Sequence, residues 1–190
     1  SSRNLALKLN AILEKEEDKK FFKLMIPNFA FLLKNSLRSV FIKDEFQDTA
    51  DFKVTHLSEQ KHLPLQAANA MFQRLHQLNK KGEITQEQML YMNAELQSFA
   101  DVLGACERIK KTPIPFSYSV FIKKFIFFYV MTLPFGYVIS LHWLIIPVVT
   151  FIFYALASLE LIAEEIENPF GTDSNDLPID DICATIKKSV

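Results

Sequence analysis

"FIFFYVMTLPFGYVISLHWLIIPVVTFIFYALASL", residues 125–159, carries no charged side chain, with His142 counted as neutral. One straight helix of that length, at about 1.5 Å per residue, would far exceed a hydrocarbon core of roughly 30 Å. The run must therefore fold back or break. "SLHW", residues 140–143, offers a polar turn with an interfacial tryptophan, so the pattern predicts a helical hairpin. Its first arm starts near Pro115 and its second ends near Glu160 or a little beyond. The run lies far from the N-terminus and is too long for a signal peptide. Pro134, Gly136 and Pro147 interrupt the arms, and a lipid-embedded proline frees backbone groups that neighbouring helices or water must satisfy. Lys123 and Lys124 lie about two turns beyond Pro115 and must snorkel or face water or protein. They mark either the membrane interface or a surface shared with partner helices or a wet cavity.

The charges divide the chain. Net charge is −1, so nothing global draws it to nucleic acid. Lysines and arginines recur through residues 1–124, whereas nothing from Phe125 to Ile186 is basic. Arg108, Lys110, Lys111, Lys123 and Lys124 flank the start of the first arm and the connecting turn has none, which places that side, and the returning acidic tail, in the cytoplasm. Eighteen Phe against four Gly describe a helix-rich chain. The expected fold is all-α: a mainly cytosolic helical region over 1–112, a transmembrane hairpin over 113–167, and an acidic cytosolic loop and tail over 168–190. Cys106 and Cys183 form no C-x-x-C and read as small buried residues. His56, His62, His76 and His142 are scattered, and no H-E-x-x-H, Walker loop, G-x-G-x-x-G or G-x-S-x-G occurs. No catalytic residue is selected, and an enzyme is not expected.

Before the hairpin the pattern is amphipathic and helical. Leu5, Leu9, Ile12 and Leu13 share a face, and "EKEEDKK", residues 14–20, reads as a solvated stretch or turn. Residues 21–41 are strongly apolar, but Lys23, Lys34 and Arg38 argue against a membrane span. A buried cytosolic helix is expected, with a membrane-surface helix as competitor. Pro27 should kink or restart it. Residues 43–64 show no period and read as a loop. Leu65, Ala68, Met71, Leu75 and Leu78 form a stripe ended by "NKKG", where Gly82 suits a C-terminal cap. Thr85 and Gln88 fit a capping box, and Ile84 with Met89 fits its hydrophobic staple. Met89, Met92, Leu96, Phe99 and Leu103 make a seam for packing against another helix.

"EEIENPFGTDSNDLP", residues 164–178, sets acids and small polar residues against the end of the second arm. Pro169 cannot continue a helix interior, and Gly171 tolerates positive φ, so a turn is expected. Asn168, Asp173 and Asp176 offer hard oxygen ligands of the kind Ca²⁺ prefers, although the spacing is not that of an EF-hand. Two readings stand: a solvated capping loop, or a cation site.

At "ENPFGTDSND" the sequence resembles the bestrophin family of pentameric ion channels. "SSRNLA", "VLGACERIKKTPIPFSY" and "LIAEEIENPFGTDSNDLPIDDI" are similar to its bacterial branch, and the likeness runs in order through most of the chain. The resemblance implies a pore-forming subunit of a homopentamer in the bacterial inner membrane, multi-pass, with both ends of this chain cytoplasmic. Its partners would be further copies, the lipid bilayer and permeating ions, with no nucleic acid. Bacterial relatives suggest passive conduction of monovalent cations. The alternatives are an anion (chloride) channel, as in animal members, and a non-conducting membrane-anchored scaffold or regulator. In bacterial members "SRNLA" follows the helix that forms the pore neck, so this chain is expected to lack the N-terminal membrane helices.

Two sites carry over in part. The calcium clasp of animal members falls on Asn168, Asp173 and Asp176, with flanking family acids replaced by Thr172, Ser174 and Asn175. That lowers the local charge. The cytosolic pore exit falls near Ile84 to Met89, with Ile84 and Glu87 as candidates. A ring of carboxylates there would favour cations.

Overall fold

A computed structural model of the chain describes residues 1–40, 42, 46 and 62–190. Among the described residues seven α-helices follow in order: α1 (Ser2–Ile12), α2 (Glu16–Arg38), α3 (Leu63–Lys80), α4 (Gln86–Lys111), α5 (Phe116–Leu141), α6 (Ile145–Glu167) and α7 (Ile179–Ser189), with a 3-10 turn at His142–Leu144 between α5 and α6. No strand occurs among the described residues, and the protein is all-α. The helices divide into two units, Ser1–Lys110 with Pro178–Val190, and Lys111–Leu177.

In the first unit α2 is the hub, packing on α1, α3 and α7. Phe22, Met25, Ile26 and Leu32 of α2 are buried with Leu5 and Leu9 of α1 and with Met71, Leu75 and Leu78 of α3. Each such side chain contributes about 1.5–3 kcal/mol on leaving water. Phe29 meets Phe99 of α4 edge to face, ring centroids 4.9 Å apart. The described part of the apolar 21–41 segment is thus mainly a core helix, and most of its apolar residues are spent inside the bundle. The α4 seam is spent there too: Met92, Leu96, Phe99 and Leu103 are buried and Met89 half-buried.

Several local expectations change. Helix α2 runs through Pro27 without restarting. The proline forfeits one backbone bond, and the buried turns on either side hold the helix together. The "EKEEDKK" stretch is not all solvated turn, because α2 begins at Glu16. Acids in its first turn suit the positive end of the helix dipole. Asp18 is buried there, and Arg74 of α3 donates to it at 2.7 Å. Most of the loop expected over 43–64, and His56 with it, lies outside the described residues, while Leu63 and Pro64 open α3. Leu65 is exposed, and Ala67 takes its place in the buried stripe.

The caps follow the chemistry of their residues. Gly82, at φ 74°, ends α3: its N–H bonds to Asn79 O and that of Glu83 to Leu78 O, both at 3.0 Å, a Schellman pair. Thr85 Oγ1 accepts from the Gln88 N–H at 3.2 Å while Gln88 Oε1 accepts from the Thr85 N–H at 2.9 Å, closing the capping box. Ile84 is buried beneath it.

The tail is not only loop. Ile179 and Cys183 are buried and Ile186 half-buried, a helical stripe that lays α7 on α2. Asp180 accepts from Lys34 Nζ at 3.0 Å and from Arg38 Nη1 at 2.7 Å. Those two hydrogen bonds, Arg38 first, hold its carboxyl below the usual carboxylate range. Lys34 is 2% exposed, so its charge is buried against this partner.

In the second unit α5 and α6 pack together as an antiparallel hairpin. Twenty-six and 23 residues give lengths of about 39 and 35 Å, each enough for one membrane crossing. The chain reverses at His142, φ 47°, within the expected "SLHW" turn. Pro147 does not interrupt its arm: it is the third residue of α6, where its missing N–H would have no intrahelical partner. No residue of α5 is buried, and of α6 only Ile145. A hairpin apolar on every face requires lipid or further protein around it.

Candidate functional site

Antiparallel arms set a residue near the start of α5 level with one near the end of α6. Lys123 therefore meets Glu160 and Glu164, which lie one turn apart on the same face of α6. Its Nζ stands 3.2 Å from Glu160 Oε1 and 3.2 Å from Glu164 Oε2. The three side chains sit in a cleft of about 260 Å³ that Tyr118, Ile122 and Leu156 also line. With Glu167 also on its lining, one cation against three carboxylates leaves the cleft acidic. Lys124 points elsewhere: it is exposed and pairs with no other described residue. The two lysines thus part company, Lys123 tying the arms together and Lys124 standing at the surface. The partners Glu160 and Glu164 were not recognised in the sequence, although the depth at which charge resumes in the second arm was the available signal.

The "NPFG" loop closes on itself. Asn168 leaves helical geometry at φ −120°, and Leu177 N–H donates back to Pro169 O at 3.0 Å. Asp176 Oδ2 accepts from the Asp173 N–H at 2.7 Å, and the Asp176 N–H returns to Asp173 O at 3.1 Å. Asn175 Nδ2 donates to Glu165 Oε2 at 2.8 Å, tying the loop to the end of α6. Gly171 serves here by close approach and not by a left-handed φ. A Cβ on it would stand 2.5 Å from Asp176 Oδ2 and 3.6 Å from Asn168 Nδ2.

The structure does bring Asn168 and Asp176 together around Gly171, with Asp173 bonded to Asp176 through its backbone. Calcium, however, takes six to eight oxygens. Here Asp176 Oδ2 is already engaged by a backbone N–H, and two carboxylates and one amide supply only part of a shell. These side chains do not by themselves fit the ion. Among the described residues no cluster of three or more acidic, histidine or cysteine side chains is arranged to hold a metal.

At the candidate pore exit the two residues separate. Ile84 is buried in the helical bundle of the single chain. Glu87 is exposed in the first turn of α4 and accepts a hydrogen bond from Thr85 Oγ1 at 3.2 Å.

Comparison with known proteins fits this arrangement. The bacterial/fungal bestrophin family matches the sequence over residues 1–190. The chain belongs to the bestrophin family. A voltage-dependent anion channel-forming protein of Nostoc is 34% identical over 196 residues, covering all of this chain and 64% of that protein. A similarly named protein of Synechocystis is 40% identical over 127 residues, covering 67% of this chain and 41% of its own length. This bestrophin chain thus spans less than two thirds of those relatives. A crystal structure of a bacterial bestrophin homologue from Klebsiella pneumoniae, a point variant, superposes with a TM-score of 0.90 at 30% identity, over 99% of this chain and 71% of that one. A second variant of that homologue gives 0.88 at 29% identity, with the same coverage. Several structural neighbours are described as membrane proteins, which accords with the apolar hairpin. Family and relatives alike belong to ion transport and not to enzymology.

Proposed function

We propose that this bestrophin is part of a pore-forming channel subunit that conducts anions passively, with several copies, most simply five, arranged around the path. The observation that carries the reading is the likeness of the whole chain to the Nostoc protein named for anion channel formation. It displaces the expected preference for monovalent cations, which no comparison supports. The hairpin adds physical support: α5 and α6 are long enough to span and apolar on all sides, as a subunit surrounded by lipid and its own copies requires. Placement in the bacterial inner membrane is proposed from the family likeness, and a cytoplasmic side for both ends of this chain from the basic residues before α5. The 168–176 loop is proposed to be a structural junction that needs no calcium.

The decisive experiment is reconstitution of the full-length protein in liposomes, with reversal potentials measured in a KCl gradient. A potential near the chloride equilibrium value is expected. One near the potassium value would restore the cation reading, and Glu87→Gln would then show whether that carboxylate lines the path. No flux at all would favour a membrane-anchored scaffold. Mass measurement in detergent tests assembly, and a stable monomer would refute the ring.

A further inference from the structure

Most interactions in the bundle pair opposite charges. Lys8 meets Glu95, Lys15 meets Glu83, Lys19 meets Glu16, and Lys34 meets Asp180. One place breaks the pattern. A groove of about 270 Å³ between α2 and α7 is lined by Lys20, Lys23 and Lys187, none of which has a carboxylate partner among the described residues. Its remaining walls are mostly apolar, from Leu24, Pro27 and Phe31. The Lys187 ammonium lies 6.0 Å from the centre of the Phe31 ring, and that of Lys34 lies 5.3 Å from the same ring. The ring therefore carries two cations, of which only Lys34 is answered by a carboxylate.

Helix dipoles do not explain the cluster. Lys187, in the last turn of α7, is favoured by the negative end of its helix. Lys20 lies little more than one turn from the positive end of α2, where the dipole opposes a cation, and Lys23 one turn further. Three like charges converging from two helices repel one another and loosen the very contact between α2 and α7 that the Asp180 pairs make. A single multivalent anion in the groove would turn that repulsion into attraction and bridge both helices.

We propose that this groove binds a phosphate group, held by Lys20 and Lys23 from α2 and Lys187 from α7, with the apolar part of the ligand on Leu24, Pro27 and Phe31. A phosphomonoester carries nearly two negative charges and three strong acceptor oxygens at neutral pH, which matches three ammonium donors. The group comes either from a soluble phosphorylated metabolite or from a lipid headgroup, and its bound form fastens α7 to α2.

The test uses the full-length protein in neutral-lipid nanodiscs at fixed ionic strength. Inorganic pyrophosphate is the soluble probe, and nanodiscs doped with phosphatidic acid are the lipid probe. Slowed hydrogen exchange in α7 is expected with one or both probes. Protection by pyrophosphate identifies a soluble source, and protection by phosphatidic acid alone identifies a headgroup. Lys23→Gln and Lys187→Gln should each weaken the effect roughly tenfold. Lys80→Gln, on an exposed position of α3, should leave it unchanged. Equal protection by chloride, equal response in all three variants, or no protection by either probe would overturn the proposal.

Discussion

Asp180→Asn keeps the shape of the α7 side chain and removes its charge. Lys34, 2% exposed, then loses the carboxylate that answers it from α7, and Arg38 loses the same partner. Breaking a fully buried ion pair costs about 3–5 kcal/mol, whereas an exposed one contributes about 0–1 kcal/mol. Asp180 is itself 61% exposed, so solvent screens its side of the interaction. The expected loss is therefore intermediate, about 1–3 kcal/mol, and falls on the docking of α7 and not on the whole bundle. Native-state hydrogen exchange reads it directly: α7 amides should exchange roughly 5- to 150-fold faster, with α3 amides unchanged. Acid gives an independent check. The folded carboxyl titrates below its ordinary value of 3.8, so its contribution is fully present above that pH and disappears as pH falls through the lower folded value. Wild-type α7 should loosen over that acid range, while the Asn variant shows no such step. Uniform acceleration across the bundle, or none in α7, would refute the reasoning.

Three other outcomes follow from the structure. Arg74→Met strands the buried Asp18 carboxylate and should cost roughly 3–5 kcal/mol in denaturant unfolding, whereas pairing it with Asp18→Leu should recover most of the loss. Gly171→Ala drives a methyl into Asp176 Oδ2 and should destabilise the 168–176 loop by about 1–3 kcal/mol, seen as faster proteolysis there; an unchanged digestion pattern would contradict the close approach. Lys123→Met leaves Glu160 and Glu164 facing each other and should lower the melting temperature in detergent, with Lys123→Arg restoring it. If the Met variant melts like wild type, the pairing does not hold the hairpin.

The hairpin was legible because an uncharged run longer than a bilayer admits few conformations, and "SLHW" near its middle places a serine and a histidine close together. The Thr85–Gln88 capping box was legible for a similar reason, since both partners lie within one turn. Contacts distant in sequence were not. Lys123 and Glu160 become neighbours only once the arms are antiparallel, and nothing local to either residue announces the other. Helix α7 was hidden by its composition: Asp180 and Asp181 merge into the acidic 168–190 tail, while Ile179, Cys183 and Ile186 form a stripe too short to stand out. At Gly171 the right residue was singled out for the wrong reason, because sequence reveals the absence of a Cβ but not which atom occupies its place. Ile84 could serve either core or pore on its residue type alone, and only the folded chain shows that it is buried.

The bundle is assembled from the two ends of this chain, residues 1–110 and 178–190, with the hairpin between them in order of synthesis. A ribosome working at about 5–20 residues per second needs several seconds to make the Lys111–Leu177 segment after α4 is complete. Throughout that interval α2 waits with Lys34 lacking Asp180 and with the seat of Cys183, which bonds Ala30 O at 3.5 Å, vacant. Closure of this helical bundle therefore cannot precede the making of both arms. A nascent chain stalled within the hairpin remains open at α2 and visible to chaperones and proteases; a finished one shuts.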